Sequence, residues 1–350
     1  GNSVSPYDKG LIQQSRHLFA FSLWYERRGA DPDIAAIADD TYLFIINNIR
    51  DTDGEFFYKA GDTGGVVNSM KKIYAESFAI YGLATYGRVM DAPLPVNQAL
   101  SCFESLDARV HDDEFGGYDQ TDDPDSWIGG AAKGTNEHIH LMEAFTALYE
   151  ATDDPAVLAR LNEFIDLTVE HLLQPEGYIH WAFNRDWSLV GSPSVSYGHD
   201  LETVSLLMEA ARAAGRMDDG EVRQAATTMG TNSSAAGFDA ENGGYFDSGV
   251  PGGGVTNDEK VWWAQFEALS GLWWTYVLTG DVVHLERLER TLDWIEETQD
   301  ESGEWYWSNY PDGSIGPRGT MKGEEWKASY HNLRALIYVY DWMAAALPSR

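Results

Sequence analysis

The sequence predicts an all-α toroid: an (α/α)6 barrel of paired helices with short β-hairpins between the pairs. Three observations carry that expectation. Glycine-plus-aromatic turns recur about every sixty residues, two helical patterns lie between successive turns, and the two helices of each pair differ in polarity. The turns are GEFFY from Gly54, GGYDQ from Gly116, EGYIHW from Glu176, GGYFD from Gly243 and GEWYW from Gly303. With Gly54, Gly117, Gly177, Gly244 and Gly303 as markers, the steps are 63, 60, 67 and 59 residues.

Each helix follows from apolar residues spaced i, i+3, i+4, i+7. The first helix of a pair is apolar or aromatic nearly all round and must be buried on every side, whereas the second carries charge along one face and covers it. Inner helices are expected near 10–28, 72–89, 132–151, 199–215, 257–279 and 322–346, and outer helices near 34–49, 94–110, 155–173, 219–231 and 281–299. The D-D-P and T-G-D connections are helix stop and start signals. Six inner and five outer helices fall one short of six pairs, so the first outer helix is expected to be absent or to lie upstream. One catalytic domain is expected over 1–350.

A chain of 350 residues, 43% hydrophobic, can bury a large core. Its 56 acidic and 24 basic residues leave a formal net charge of −32, a surface that repels nucleic acid and anionic membranes. Such a surface suits concentrated salt, where the screening length falls to about 3 Å at 1 M, and a halophilic protein is expected. No uncharged apolar run nears the roughly 18 residues of a membrane span, and the first residues lack the order of a signal peptide. A cytoplasmic monomer or homodimer is the expectation. The only cysteine, Cys102, rules out an internal disulfide and a cysteine-based metal site. His138 and His140, at i and i+2 on a helix, point about 200° apart, so no metal is expected. Thirteen tryptophans, 18 tyrosines and 14 phenylalanines suit either a sugar-binding cavity or a large aromatic core.

A six-pair ring brings the starts of its inner helices together. Those starts carry Arg16; Tyr74 and Glu76; Asn136, His138, His140 and Glu143; His199 and Glu202; Trp262, Trp263 and Glu267; and Trp326 and His331. A Ser-Tyr-His theme appears twice, in SYGHDLE at 196–202 and SYHNLRAL at 329–336. Imidazole, with an ordinary pKa of about 6.5, both accepts and donates a proton near neutrality. Two histidines across a cavity could take a proton from one face of a carbon and return one to the other. Glu202, at i+3 from His199, is placed to orient that imidazole, and Asp200 suits the helix dipole. Glu76, Glu143 and Glu267 are equally readable as buried acids bonded to helix ends, and Arg16 as the partner of a buried carboxylate.

These motifs resemble the N-acylglucosamine 2-epimerase superfamily, most closely its cellobiose 2-epimerase branch. The resemblance runs from DKGLIQQSRHLFAFS at 8–22 through YAESFAIYGLATYG, TNEHIHLMEAFTALY, SYGHDLE and KVWWAQFEALSG to WKASYHNLRAL at 326–336. It implies a cofactor-independent enzyme that works at C2 of an open-chain, reducing-end aldose, a mono- or disaccharide, through a cis-enediol. On that resemblance His199 and His331 are the general acid/base pair, with His140 and Glu202 assisting ring opening and holding the histidines. Arg16 binds the oxygen on which enediolate charge develops. Trp263 and Trp326 are sugar platforms, and Tyr74, Asn136 and Glu267 line the pocket. Three alternatives stand beside this. In aldose–ketose isomerisation, mannose to fructose, the same histidines pass the proton from C2 to C1. Glycoside hydrolysis would use two carboxylates, Glu202 with Glu267 or Glu76, roughly 5–9.5 Å apart. A sugar-binding toroid without activity is the third.

Overall fold

The computed structural model describes residues 8–29, 31–121, 130–320 and 323–346. Among these, eleven α-helices follow one another: α1 (Leu11–Arg28), α2 (Pro32–Asn48), α3 (Ile73–Val89), α4 (Pro93–Val110), α5 (Thr135–Thr152), α6 (Pro155–Leu167), α7 (Tyr197–Ala213), α8 (Gly220–Ala236), α9 (Trp262–Thr279), α10 (Val283–Glu297) and α11 (Tyr330–Ala346). A π-helical turn, Thr168–Leu172, extends α6. Ten strands of two or three residues pair antiparallel: β1 (Lys9–Gly10) with β2 (Lys59–Ala60) and β3 (Val66–Asn68), β4 (Lys133–Gly134) with β5 (Ala182–Phe183), β6 (Val195–Ser196) with β7 (Ser248–Gly249) and β8 (Val255–Asn257), and β9 (Lys260–Val261) with β10 (Ser308–Asn309).

The chain divides into two compact units. The first contains α1 to α6, Ala182–Val190 and Glu324–Tyr330; the second contains Thr168–Trp181, Gly191–Gly323 and the chain from His331 onward. In the first, α3 lies between α1 and α5, and α2, α4 and α6 each cover the helix before them. In the second, α7 packs on α9, with α8 over both and α10 over α9. The expected polarity split is present. Every residue from Ala75 to Gly87 of α3 and from Ala264 to Thr275 of α9 is buried, whereas α8 buries the stripe Val222, Ala225, Ala226, Met229, Gly230, Ser233 and Ser234.

Three boundaries differ from the sequence expectation. α9 begins at Trp262 rather than 257, because 255–257 and 260–261 are spent in β8 and β9. α11 begins at Tyr330; the described residues 323–329 are non-helical, and position 322 lies outside the described residues. α8 runs on to Ala236 because its small polar end is hydrogen-bonded inside the unit, Ser233 to Asp200 and Ser234 Oγ to His284 Nδ1 at 2.9 Å.

The two helix types also start differently. Asp31, Asp154, Asp219 and Asp281 accept from first-turn N–H groups of α2, α6, α8 and α10 at 2.8–3.1 Å, the usual side-chain cap; α4 is the exception among the covering helices, starting after Ala92 with a proline and no side-chain cap. α1, α3, α5, α7 and α9 follow an extended residue and have no side-chain cap. Hairpin carbonyls meet the leading N–H groups of α1, α7 and α9 instead, Tyr58 O that of Leu11 at 2.9 Å, Asp247 O that of Tyr197 at 3.3 Å and Trp307 O that of Trp262 at 3.0 Å, and these turns carry the candidate chemistry.

The marker glycines explain the hairpins. Gly54, Gly117, Gly177, Gly244 and Gly303 all have φ between 73° and 99°, a region that glycine enters without penalty. In three hairpins the N–H of Asp51, Gln174 or Asp300 bonds the carbonyl four residues on, at 2.7–2.9 Å. In the two Gly-Gly hairpins, Asp112 and Asp239 bond Gly117 O and Gly244 O, five residues on, at 2.8 and 3.0 Å. Each of these two wider hairpins receives a buried lysine. Lys133 Nζ donates to Asp112 Oδ2 at 2.8 Å and Gly116 O at 2.6 Å, and Lys260 Nζ to Asp239 Oδ2 and Gly243 O, both at 2.6 Å. The lysines are 0% and 1% exposed, and each sits over a tryptophan, Trp187 at 4.7 Å and Trp294 at 3.7 Å. Burial pulls both ammonium pKa values down, and the aspartates oppose it. The first turns of α5 and α9 are thereby locked to the preceding hairpins.

Candidate active site

In the second unit, His199 lies in the first turn of α7 and His331 in that of α11. Both rings contact Trp263, at centroid distances of 4.4 and 5.6 Å. The sum of those distances, 10.0 Å, is the upper bound on the separation of the two imidazoles. Trp181, from the EGYIHW hairpin, meets His199 edge-on at 4.6 Å. Trp263 is half-buried while its neighbour Trp262 is core, as two adjacent helical residues require.

His331 Nδ1 is 2.6 Å from Glu267 Oε1 and 3.7 Å from Glu202 Oε1. Arg334 Nη2 donates to both carboxylates, at 2.6 Å to Glu267 and 2.9 Å to Glu202. All four residues are buried. A carboxylate at Nδ1 holds the proton there, so Nε2 is the lone-pair nitrogen. The spacing argument sets Glu202 beside His199; in the structure Glu202 pairs with Arg334 next to His331, and Ser196 Oγ stands 2.9 Å from His199 Nδ1. A carboxylate buried this deeply needs a charged donor, which the guanidinium supplies. Ligand atoms of Glu202, Glu267 and His331 lie within 4.8 Å of one another, as in a metal site, but the cationic place against both carboxylates is taken by Arg334. Asp200 stands in the first turn of α7, as expected, and is fully buried there: it accepts from Ile179 N–H at 3.2 Å and from Ser233, and burial raises its pKa to about 7.

In the first unit, Arg16 is 3% exposed. It donates to Trp326 O at 2.7 Å and to Tyr74 Oη at 3.0 Å, with its guanidinium 4.3 Å from the Phe78 ring and 5.0 Å from Tyr330. Among the described residues its partners are therefore a carbonyl, a phenol and two rings rather than a carboxylate. His140, equally buried, has Nδ1 3.1 Å from Glu143 Oε2, which also accepts from Tyr330 Oη at 2.5 Å. Tyr74 and Phe78 flank the His140 ring at 5.4 and 4.8 Å. Tyr74, Asn136 and Trp326 line a cavity of about 510 Å³. Glu76 is bonded to Arg109 at 2.6 Å rather than to a helix end, and burial raises its pKa to about 7. His138 is a structural hydrogen-bonder: Nδ1 donates to Gly134 O at 2.7 Å, Nε2 accepts from Tyr118 N–H at 3.1 Å, and burial lowers its pKa to about 4.

Sequence reasoning missed Arg334 and Trp181. An arginine three residues after His331 on an otherwise apolar helix was the available signal for the first; nothing distinguishes Trp181 from the other hairpin aromatics.

The family model for N-acylglucosamine 2-epimerase (GlcNAc 2-epimerase) matches residues 1–335. The chain belongs to the N-acylglucosamine 2-epimerase family. It is 29% identical over 346 residues to a cellobiose 2-epimerase of Bacteroides fragilis, a match covering 94% of this chain and 87% of that one. The solved cellobiose 2-epimerase of Spirochaeta thermophila is 28% identical with a TM-score of 0.89, over 97% of this chain and 88% of that one. A D-mannose isomerase of Thermobifida fusca is 26% identical over 206 residues, 51% of this chain and 47% of the isomerase. The fold is thus an (α/α)6 barrel and the protein an enzyme of the isomerase class.

Proposed function

We propose that this N-acylglucosamine 2-epimerase family enzyme epimerises C2 of a reducing-end aldose, glucose-type to mannose-type, by proton transfer between His199 and His331. The observation that carries the reading is the pair of imidazoles sharing the Trp263 ring, one of them backed by Glu267, Glu202 and Arg334. On the open-chain sugar, one neutral imidazole takes the C2 proton, the C–H electron pair becomes the C1–C2 double bond, the carbonyl π pair moves onto O1, and a cis-enediolate forms. The opposite imidazolium returns a proton to the other face of C2. Arg16, preorganised by Tyr74, Trp326 and two aromatic faces, serves the oxygen on which charge develops. His140, oriented by Glu143, assists ring opening. Trp263 and Trp326 serve as stacking platforms, and Tyr74, Asn136 and Glu267 as substrate-binding residues. The similarity to a D-mannose isomerase favours one second reading, reprotonation at C1 to give the ketose.

Incubation with cellobiose and with mannose in D2O, followed by chromatography and NMR, tests both. The epimer carrying deuterium at C2 is expected. Fructose as the sole product from mannose, with no epimer from cellobiose, would transfer the assignment to aldose–ketose isomerisation. His199→Ala and His331→Ala are each expected to lower kcat by about 10³-fold or more; near-full activity in either would remove the two-histidine mechanism.

A further inference from the structure

The 510 Å³ cavity of the first unit contains a polar group that the two-histidine reading leaves unused. Arg109, in the last turn of α4, lines it together with Tyr74, Asn136 and Trp326. Its Nε donates to Glu55 Oε1 at 2.8 Å and its Nη2 to Glu76 Oε2 at 2.6 Å. Glu55 and Glu76 are 4% and 0% exposed, so the guanidinium plane is fixed by groups that cannot move into solvent. A guanidinium has five N–H donors, and Nη1 has no partner among the described residues. In the wall of the same cavity Asn136 Oδ1 is buried and has no hydrogen-bond partner. A fixed donor edge and a buried acceptor, both unmet, call for a ligand that supplies their complements. A hydroxyl group supplies both.

The charges around the cavity narrow the ligand class further. Lys71 in the same wall pairs with Asp51 at 3.0 Å and Glu55 at 2.7 Å, and also with Asp53. Four carboxylates, Asp51, Asp53, Glu55 and Glu76, therefore surround two cations, Lys71 and Arg109. Lys72, 4.6 Å over the Tyr58 ring, interacts with Glu137 and Glu325. An anion entering the cavity meets no surplus of positive charge. We infer that Arg109 is a substrate-binding residue for an uncharged sugar: its open Nη1 edge donates to a sugar hydroxyl, and the carboxylates behind it make the cavity select neutral sugars over those bearing carboxylate or phosphate. The inference rests on the sugar reading above and adds its ligand class.

The test uses the full chain and whichever neutral sugar it turns over. Arg109→Lys keeps a cation between Glu55 and Glu76 but removes the forked donors. The expected result is a KM raised about 10- to 100-fold with kcat within about threefold, the pattern for loss of binding that ground and transition states share. KM within twofold of wild type overturns the assignment, as does a fall in kcat at unchanged KM. Should Arg109→Lys not fold, Arg109→Gln combined with Glu76→Gln removes charge and counter-charge together and is judged by the same two criteria. Glucuronic acid and glucose 6-phosphate, offered as competitors, are expected to bind at least tenfold more weakly than glucose; equal or tighter binding overturns the charge selection. If the wild type turns over no sugar, the catalytic reading fails by itself, and calorimetric titration of glucose into wild type and Arg109→Lys still decides the binding role.

Discussion

Residues 112–143 and 239–270 form the same device twice with different chemistry on it. Each starts with D-x-E-x-G-G-Y, at Asp112 and at Asp239. Each places its lysine 21 residues after the aspartate, and the helix begins within two residues of that lysine. Five residues beyond the lysine, His138 and Gln265 do the same job: each accepts from a tyrosine N–H, of Tyr118 at 3.1 Å and Tyr245 at 2.7 Å, and each bonds a carbonyl at the helix start, Gly134 O at 2.7 Å and Val261 O at 3.2 Å. At three and seven residues beyond the lysine the two copies part. Asn136 and His140 stand in one, Trp263 and Glu267 in the other. The backbone frame and its buried ion pair are common, and the side chains facing the chemistry differ. The clamp positions whatever stands one and two turns into the helix without dictating what it is.

That contrast can be broken at several levels, the largest effect first. Glu267→Gln takes the carboxylate from His331 Nδ1 and is expected to lower kcat by about 10²- to 10⁴-fold in steady-state kinetics, the range of a general acid–base contribution. His140→Gln, the matching position, is expected to cost less, about 10- to 100-fold, because its partner Glu143 serves Tyr330 as well. Full activity in Glu267→Gln would make that carboxylate part of the frame. Next come the clamps themselves. Lys260→Met strands the buried Asp239 and is expected to lower unfolding free energy by about 3–5 kcal/mol in urea titrations, whereas Lys133→Met leaves Asp112 its Arg185 partner and is expected to cost less. Lys260→Met with Asp239→Asn should recover most of that loss, since the pair is then removed as a unit.

A third comparison concerns the helix crossings. Gly82 and Gly271 are each the tenth residue of their helix, and a Cβ would lie 2.8 Å from Ser15 O and 2.4 Å from Leu201 O. Alanine at either is expected to destabilise by about 1–3 kcal/mol, more at Gly271, as thermal melts would show. The smallest effect is the one that converts one clamp toward the other. His138, with a folded pKa of about 4 against 6.5 for a free histidine, binds fewer protons folded than unfolded between those values. Its contribution to stability is therefore lost as pH falls from about 6.5 toward 4. His138→Gln should fold, as Gln265 does in its copy, and narrow the Tm difference between pH 7 and pH 5. An unchanged difference would mean that His138 is not the group that titrates.

Much of the frame was legible because it repeats. A positive-φ glycine every sixty or so residues and the polarity split within pairs are periodic, and periodicity survives ignorance of contacts. The start of α9 was misplaced because β8 and β9 are too short to show a period of two, and that of α11 because 323–329 carries the same apolar and charged mix as a helix. The site was legible as a list of helix starts. Its pairings were not: Glu202 lies three residues from His199 in sequence, yet its buried charge is met by Arg334, 132 residues away.

The amino-acid order alone determined the alternation of buried and covering helices, the hairpin glycines, the absence of disulfide chemistry and the set of histidines, aromatics and acids at the helix starts. These follow from local geometry, hydrophobic period and composition, which need no partner. Only the tertiary structure decided which carboxylate orients which imidazole, that Arg16 is held by rings and neutral oxygens, and that Lys133 and Lys260 of an acidic chain are buried. A charge placed out of water has to be matched within hydrogen-bond distance, and the partner that matches it is chosen by packing between helices rather than by distance along the chain.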